Sequence, residues 1–240
     1  SAFPGFVSDP VGLQVTSRAF LDIDYSVVFT MRRATTFPNF IYTICRETGG
    51  AIAILVQTGV TTVPGGDGGT FTLLSKPIVD GGVILFYGEG GGRRGVYQIV
   101  GGGITAVVDN QMVLPGNVSP VAIFDASDVS FANDALDVAL VLTGSNGGVW
   151  KRISGQWSRI IANNAPIPNG SGNFFYFYSP AIRAGKVVFL GGRDNPFALP
   201  LQNGIYTDAF GGVVPVVDLS TPFAYPDPHD FVVADGGRWF

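Results

Sequence analysis

Phe40-Ile41-Tyr42-Thr43, Gly95-Val96-Tyr97-Gln98, Gly148-Val149-Trp150-Lys151 and Gly204-Ile205-Tyr206-Thr207 are four versions of one string. Their aromatic positions, 42, 97, 150 and 206, are 55, 53 and 56 residues apart. The flanks repeat with them. Each string is followed by a turn: Gly49-Gly50, Gly101-Gly102-Gly103, Ser154-Gly155 or Gly211-Gly212. A β-branched run comes next, as in Ala51 to Val56 and Ile104 to Val108. A Pro-centred linker closes the unit: Val63-Pro64-Gly65-Gly66, Leu114-Pro115-Gly116-Asn117, Ile167-Pro168-Asn169-Gly170 and, more loosely, Tyr225-Pro226-Asp227. Self-similarity at a fixed period is the mark of a repeat architecture.

Before each string lie two more apolar runs joined by a tight turn. The versions begin at Phe20, Pro77, Val129 and Pro180, and a fifth, Phe231 to Phe240, closes the chain. Each unit therefore predicts four short strands, rich in Val, Ile, Phe and Tyr and separated by Gly, Asn and Asp. No segment carries a helical period with caps. Tandem four-stranded antiparallel units predict an all-β fold, a β-propeller of about four full blades plus a partial fifth. The approximate repeats are 20–63, 77–114, 129–167, 180–225 and 231–240 of one repeat domain, and residues 1–19 read as a linker-like segment able to complete the fifth blade.

Composition agrees. The chain has 240 residues, with 34 Gly, 19 Phe and only 13% charged residues, about half the usual ~25% share. That excludes a disordered tail, and the Gly lack a three-residue period, which excludes a collagen. Net charge is −4, and Arg32-Arg33 and Arg93-Arg94 are isolated pairs; nucleic-acid binding is not expected. No apolar run reaches the ~20 residues of a membrane helix, so no transmembrane segment is expected. The single Cys45 allows no intrachain disulfide and reads as a small buried hydrophobe. Few Lys, much Gly and Phe, and an opening Ser1-Ala2 without initiator Met fit a secreted protein, extracellular or at the cell surface.

At Pro64-Gly65-Gly66-Asp67-Gly68-Gly69-Thr70-Phe71, Ser179-Pro180-Ala181-Ile182, Gly185-Lys186-Val187-Val188-Phe189, Gly204-Ile205-Tyr206 and Val216-Val217-Asp218 the chain resembles a family of secreted bacterial tandem-repeat proteins of unknown function. More distantly it is similar to the repeat of TolB-type propellers. The third unit departs, with Asp134-Ala135-Leu136-Asp137 where the turn Gly stands elsewhere. The resemblance implies a propeller and an extracellular setting, and it brings no catalytic residues.

Candidate chemistry is sparse. Gly90-Gly91-Gly92-Arg93-Arg94-Gly95 fits G-x-G-x-x-G, but a strand follows where a dinucleotide site needs a helix, so it reads as a hairpin loop. His229 is the only His, so neither a His-based triad nor a zinc site can be assembled. Asp22, Asp24, Asp80, Asp134 and Asp235 fall at equivalent turns. They are expected to bond their own backbone, or else to form a rim of carboxylates for Ca²⁺. Arg32, Arg33, Arg93, Arg94 and Arg193, with Arg238, fall at second-to-third-strand loops and are candidates for one surface patch facing carboxylates of a neighbour or of an acidic glycan. Phe174-Phe175-Tyr176-Phe177-Tyr178, Phe71 and Phe124 are expected in the core between blades, or exposed for sugar stacking.

No enzyme and no cofactor are expected. The leading expectation is a structural protein that self-associates through the open edge of its terminal half-unit, with Phe231, Val232, Val233, Trp239 and Phe240 as the docking residues. The alternative is a lectin-like propeller with multivalent glycan sites.

Overall fold

A computed structural model describes residues 13–15, 19–34, 40–123, 125–144, 147–170, 172–193 and 203–218. These form four antiparallel sheets and a single 3-10 turn, Ala126–Asp128. The first sheet contains β1 (Leu13–Val15), β2 (Phe20–Leu21), β3 (Val27–Ala34), β4 (Phe40–Thr48) and β5 (Ala51–Gln57). The second contains β6 (Phe71–Asp80), β7 (Val83–Gly90), β8 (Arg93–Val100) and β9 (Gly103–Asp109). The third contains β10 (Val129–Asp134), β11 (Asp137–Leu142), β12 (Gly148–Ile153) and β13 (Gln156–Ala162). The fourth contains β14 (Phe174–Arg183), β15 (Lys186–Arg193), β16 (Asn203–Thr207) and β17 (Val214–Asp218). In each sheet strands follow chain order from edge to edge, and no sheet closes on itself. The first sheet has five strands because β1 and β2 both pair with β3, dividing one strand's place between them. Among the described residues no helix is long and apolar enough to cross a membrane.

Two expectations change. Leu13–Val15, expected in a linker, pair with Met31–Arg33 and belong to the first sheet. The first strands also start earlier than Pro77 and Pro180, at Phe71 and Phe174. Register shifts flank Lys76-Pro77 and Ser179-Pro180. Pro has no N–H to give the ladder, and a bulge lets the strand pass it.

A third correction concerns the register of the first repeat. Third and fourth strands share a bulge in every sheet: at Ile44/Cys45, Val96/Tyr97, Val149/Trp150 and Ile205/Tyr206. The counterpart of Tyr97, Trp150 and Tyr206 is thus Cys45, not Tyr42. All four are buried. Tyr42 drew the alignment because it is the aromatic nearest the expected spacing, whereas the bulge and the Gly49-Gly50 turn fix the true register.

Glycine before the ring has a steric cause. A Cβ on Gly95 would lie 2.1 Å from the Val108 carbonyl oxygen, and one on Gly148 would lie 2.2 Å from that of Ile161. The bulge presses the fourth strand onto the third at this point, and only hydrogen fits.

The sheets divide into two compact units, the first two sheets in one and the last two in the other. In the first unit Val28, Ile44 and Val56 pack with Phe71, Ile84, Phe86 and Tyr97 across the sheets. In the second, Ala139, Val141 and Val149 pack with Phe174, Phe177, Phe189 and Tyr206. The second and fourth sheets hold the same aromatic triad. Phe71 meets Tyr97 edge-on at 5.0 Å and Phe174 meets Tyr206 at 4.8 Å; Phe86–Tyr97 and Phe189–Tyr206 stack at 5.7 and 5.9 Å. Phe71 and Phe174 lie over Gly88 and Gly191, where a Cβ would approach a ring carbon to 2.6 and 2.9 Å. In the first and third sheets the register puts buried Met31 and Leu142 at those glycine positions, and Phe29 and Leu140 opposite Cys45 and Trp150.

The Pro linkers are turns with a buried anchor. The amides of Gly66, Asn117 and Gly170 donate to the carbonyls of Val63, Leu114 and Ile167 at 3.2, 3.0 and 3.2 Å. The residues after Pro, namely Gly65, Gly116 and Asn169, have φ of 69°, 80° and 58°, as a type II turn requires. In the third sheet, Asp134-Ala135-Leu136-Asp137 keeps the hairpin with Asp134 opposite Asp137, and Ala135 takes the left-handed conformation instead of Gly.

Gly95→Ala is expected to destabilise the protein by about 3 kcal/mol or more, because backbone must move. Gly82→Ala meets no atom within 4 Å and strains only its φ of 77°, at about 1 kcal/mol. Urea denaturation of both variants checks the contrast. Burial pushes the Cys45 thiol up to about 12, which keeps it out of the reactive thiolate form. A disulfide-exchange reagent is expected to label Cys45 only at the rate of global unfolding, measured across a denaturant series.

Candidate functional site

An open cleft of about 460 Å³ lies in the first unit. Its walls are the Pro64-Gly65 turn, Arg93 at the start of β8, Thr105 and Ala106 on β9, and Asp109, Gln111 and Met112 where β9 ends. Asp109 is almost wholly buried, and its Oδ2 accepts a hydrogen bond from Arg93 Nη1 at 2.6 Å. Its Oδ1 accepts the Gln111 N–H at 2.9 Å. The Arg93 guanidinium lies across Gly65, 3.6 Å from where a Cβ would stand.

Near this pair is the Tyr97 hydroxyl, buried and, among the described residues, without a hydrogen-bond partner. Burial, then the nearby Asp109 carboxylate, push its pKa upward, while Arg93 opposes them. The phenol is a fixed neutral group rather than an acid–base residue. Among the described residues no group of three or more His, Cys, Asp or Glu is placed to hold a metal. The arrangement can hold a polar group against the outer donors of Arg93.

The aspartates at the hairpin turns join neighbouring sheets. Asp22 accepts from Ile23 N–H at 2.8 Å, but also from Gly82 N–H, in the turn of the second sheet, at 3.0 Å. Arg46 Nη2 lies 3.4 Å from Asp22 and 2.6 Å from Asp24. In the second unit Asp134 accepts from Ala184 N–H, in the turn of the fourth sheet, at 2.6 Å and from Arg183 at 3.3 Å. Each is a clamp from one sheet to the next. Asp24 bonds the Ser26 amide at 2.9 Å, as expected of a turn aspartate. Asp80 ends β6 half-buried.

The arginines are engaged separately. Arg32 is half-buried, stacked 4.7 Å from the Phe40 ring centre, and Arg33 is half-buried beside it in sequence. Arg93 is ion-paired, Arg94 is exposed on β8, and Arg193 lies against Gly172 in the second unit. Gly90-Gly91-Gly92 forms the β7–β8 hairpin turn, with no helix after it. Phe71, Phe174 and Phe177 are core residues, whereas Phe175 and Tyr178 are 61% and 51% exposed. Phe124, His229, Asp235, Arg238 and the docking residues Phe231, Val232, Val233, Trp239 and Phe240 lie outside the described residues.

Sequence reasoning did not single out the Asp109–Arg93–Tyr97 cluster. Its signal was the recurring Val-x-Asp ending of the unit, Val107-Val108-Asp109 and Val216-Val217-Asp218, read only as scaffold. The register places those aspartates opposite Gly95 and Gly204.

Sheets of this kind, alike in strand order and bulge, define an all-β repeat protein. The chain belongs to the Family of unknown function (DUF7453), whose model matches residues 4–232. No curated protein matches it.

Arg93→Ala would leave the Asp109 carboxylate buried beside one amide. Breaking a buried pair costs about 3–5 kcal/mol; Arg93 is over a quarter exposed, so about 2 kcal/mol is expected after screening. Chemical denaturation at neutral pH checks this.

Proposed function

We infer that this protein is a non-enzymatic structural subunit, extracellular or at a cell surface, whose sheets are propeller blades and whose copies associate through strand edges. The observation that carries the reading is the edge strand β5. Its sequence, Ala51-Ile52-Ala53-Ile54-Leu55-Val56-Gln57, has no charge, Pro or Gly, and Ala51, Ala53 and Ile54 are exposed. It ends the first sheet, hydrogen-bonded on one side to β4.

An apolar, uncharged edge of this length is a template for another strand unless a residue guards it. Two of the corresponding edges carry guards: Arg159 in β13 and Pro215 in β17. The propeller reading is supported by four-stranded antiparallel sheets in chain order, and by their packing in pairs through apolar faces. The extracellular setting is supported by composition: one Cys and few Lys.

Ala53→Lys puts a charge on this edge without touching the core. Light scattering after size exclusion is expected to show associated species for the parent chain and a monomer for the variant, with equal melting temperatures. A parent chain that stays monomeric up to its solubility limit overturns the reading.

A further inference from the structure

We propose that the second unit carries a binding site for an acidic sugar residue, a pyranose bearing a carboxylate, in the cleft between the third and fourth sheets. This does not depend on self-association. The cleft holds about 280 Å³ and is lined by Lys151, Arg159 and Lys186, with Asp208 and the Gly211-Gly212 turn opposite.

Three cations here face one carboxylate, and that carboxylate is already satisfied. Asp208 Oδ2 accepts from Lys151 Nζ at 2.5 Å, and Oδ1 accepts the Val187 N–H at 2.7 Å. Lys151 also donates to the Gly185 carbonyl at 3.0 Å. The pair is therefore part of the wall. Arg159 and Lys186 remain, both exposed, and neither makes an ion pair among the described residues. Arg159 is held over the Trp150 ring at 5.2 Å, which fixes its plane and leaves its edge donors to the cleft.

The fold does not require these two cations. By strand register, the place of Arg159 is taken by Ile54, Ala106 and Pro215 in the other sheets. The place of Lys186 is taken by Ser26, Val83 and Asp137, counted back from the paired core residues Phe29, Phe86 and Leu140. A chain with net charge −4 and only 14 cations places two of them, unpaired, on opposite sheets around one cleft.

The ligand class follows from geometry. A planar guanidinium matches a planar carboxylate through two parallel hydrogen bonds. Phe210, 80% exposed, is not itself part of the lining, but it stands in the chain between the lining residues Asp208 and Gly211, where a ligand reaching out of the cleft can meet it. A pyranose offers an apolar face to such a ring while its carboxylate and hydroxyls project from the edge, toward Arg159, Lys186 and Ser158. An acidic peptide side chain has no flat face of that size.

The test is calorimetric titration of the full chain with a galacturonic acid trisaccharide and with its methyl ester, which lacks the charge. The acid is expected to bind at least about ten-fold more tightly than the ester. Arg159→Gln with Lys186→Gln, which removes both charges and keeps a polar side chain on the β13 edge, is expected to remove that advantage without lowering the melting temperature. Phe210→Ala is expected to weaken acid and ester alike. Equal binding of acid and ester, no binding of either, or an unaffected double variant overturns the proposal. So does a glutamate trimer or a sulfated trisaccharide that binds more tightly than the galacturonate.

Discussion

The contact on which the sheets depend is the approach of the fourth strand to the third at a bulge, which lies beside a buried ring in three of them and beside Cys45 in the first. The ring needs depth, the bulge supplies it by bending the outer strand inward, and the bent strand leaves no room for a side chain at Gly95 or Gly148. Loss of hydrogen there would move backbone, not a rotamer. The same bend carries Asp109 and Asp218 opposite the glycine. In the second sheet this places a carboxylate over a phenol and beside an arginine. The polar cluster of the first cleft is thus a by-product of how a ring is buried.

Much of this was legible in the sequence because it is local chemistry. Gly-x-aromatic strings, Pro turns and alternating apolar runs state four antiparallel strands per repeat, and the observed sheets follow that order. Cys45 was not legible as the counterpart of Tyr97, since residue type misleads where a bulge sets the register and a small side chain replaces a ring. Leu13–Val15 were missed for a similar reason: three residues are too few for a periodic signal, and β3 supplies the pairing.

Polar positions were less readable still, because their roles lie between sheets. Asp22 and Asp134 read correctly as turn residues, but their bonds to Gly82 and Ala184 cross from one sheet to the next, over 60 and 50 residues of chain. Arg93 and Arg94 are adjacent in sequence yet differ in role, one locked to Asp109 and one exposed. Lys151 and Asp208, which meet across the second unit, share no motif at all.

The alternation of the cores has a consequence for how such a chain can grow. The triads of Phe71, Phe86 and Tyr97 and of Phe174, Phe189 and Tyr206 belong to even-numbered sheets, and the aspartate clamps run from odd to even. Odd sheets have their own filling, with Met31 and Leu142 where the even ones have glycine. Each core is thus filled by one odd and one even sheet, and a lone sheet would leave its apolar face uncovered. A chain of this kind gains a complete core only when a pair is added.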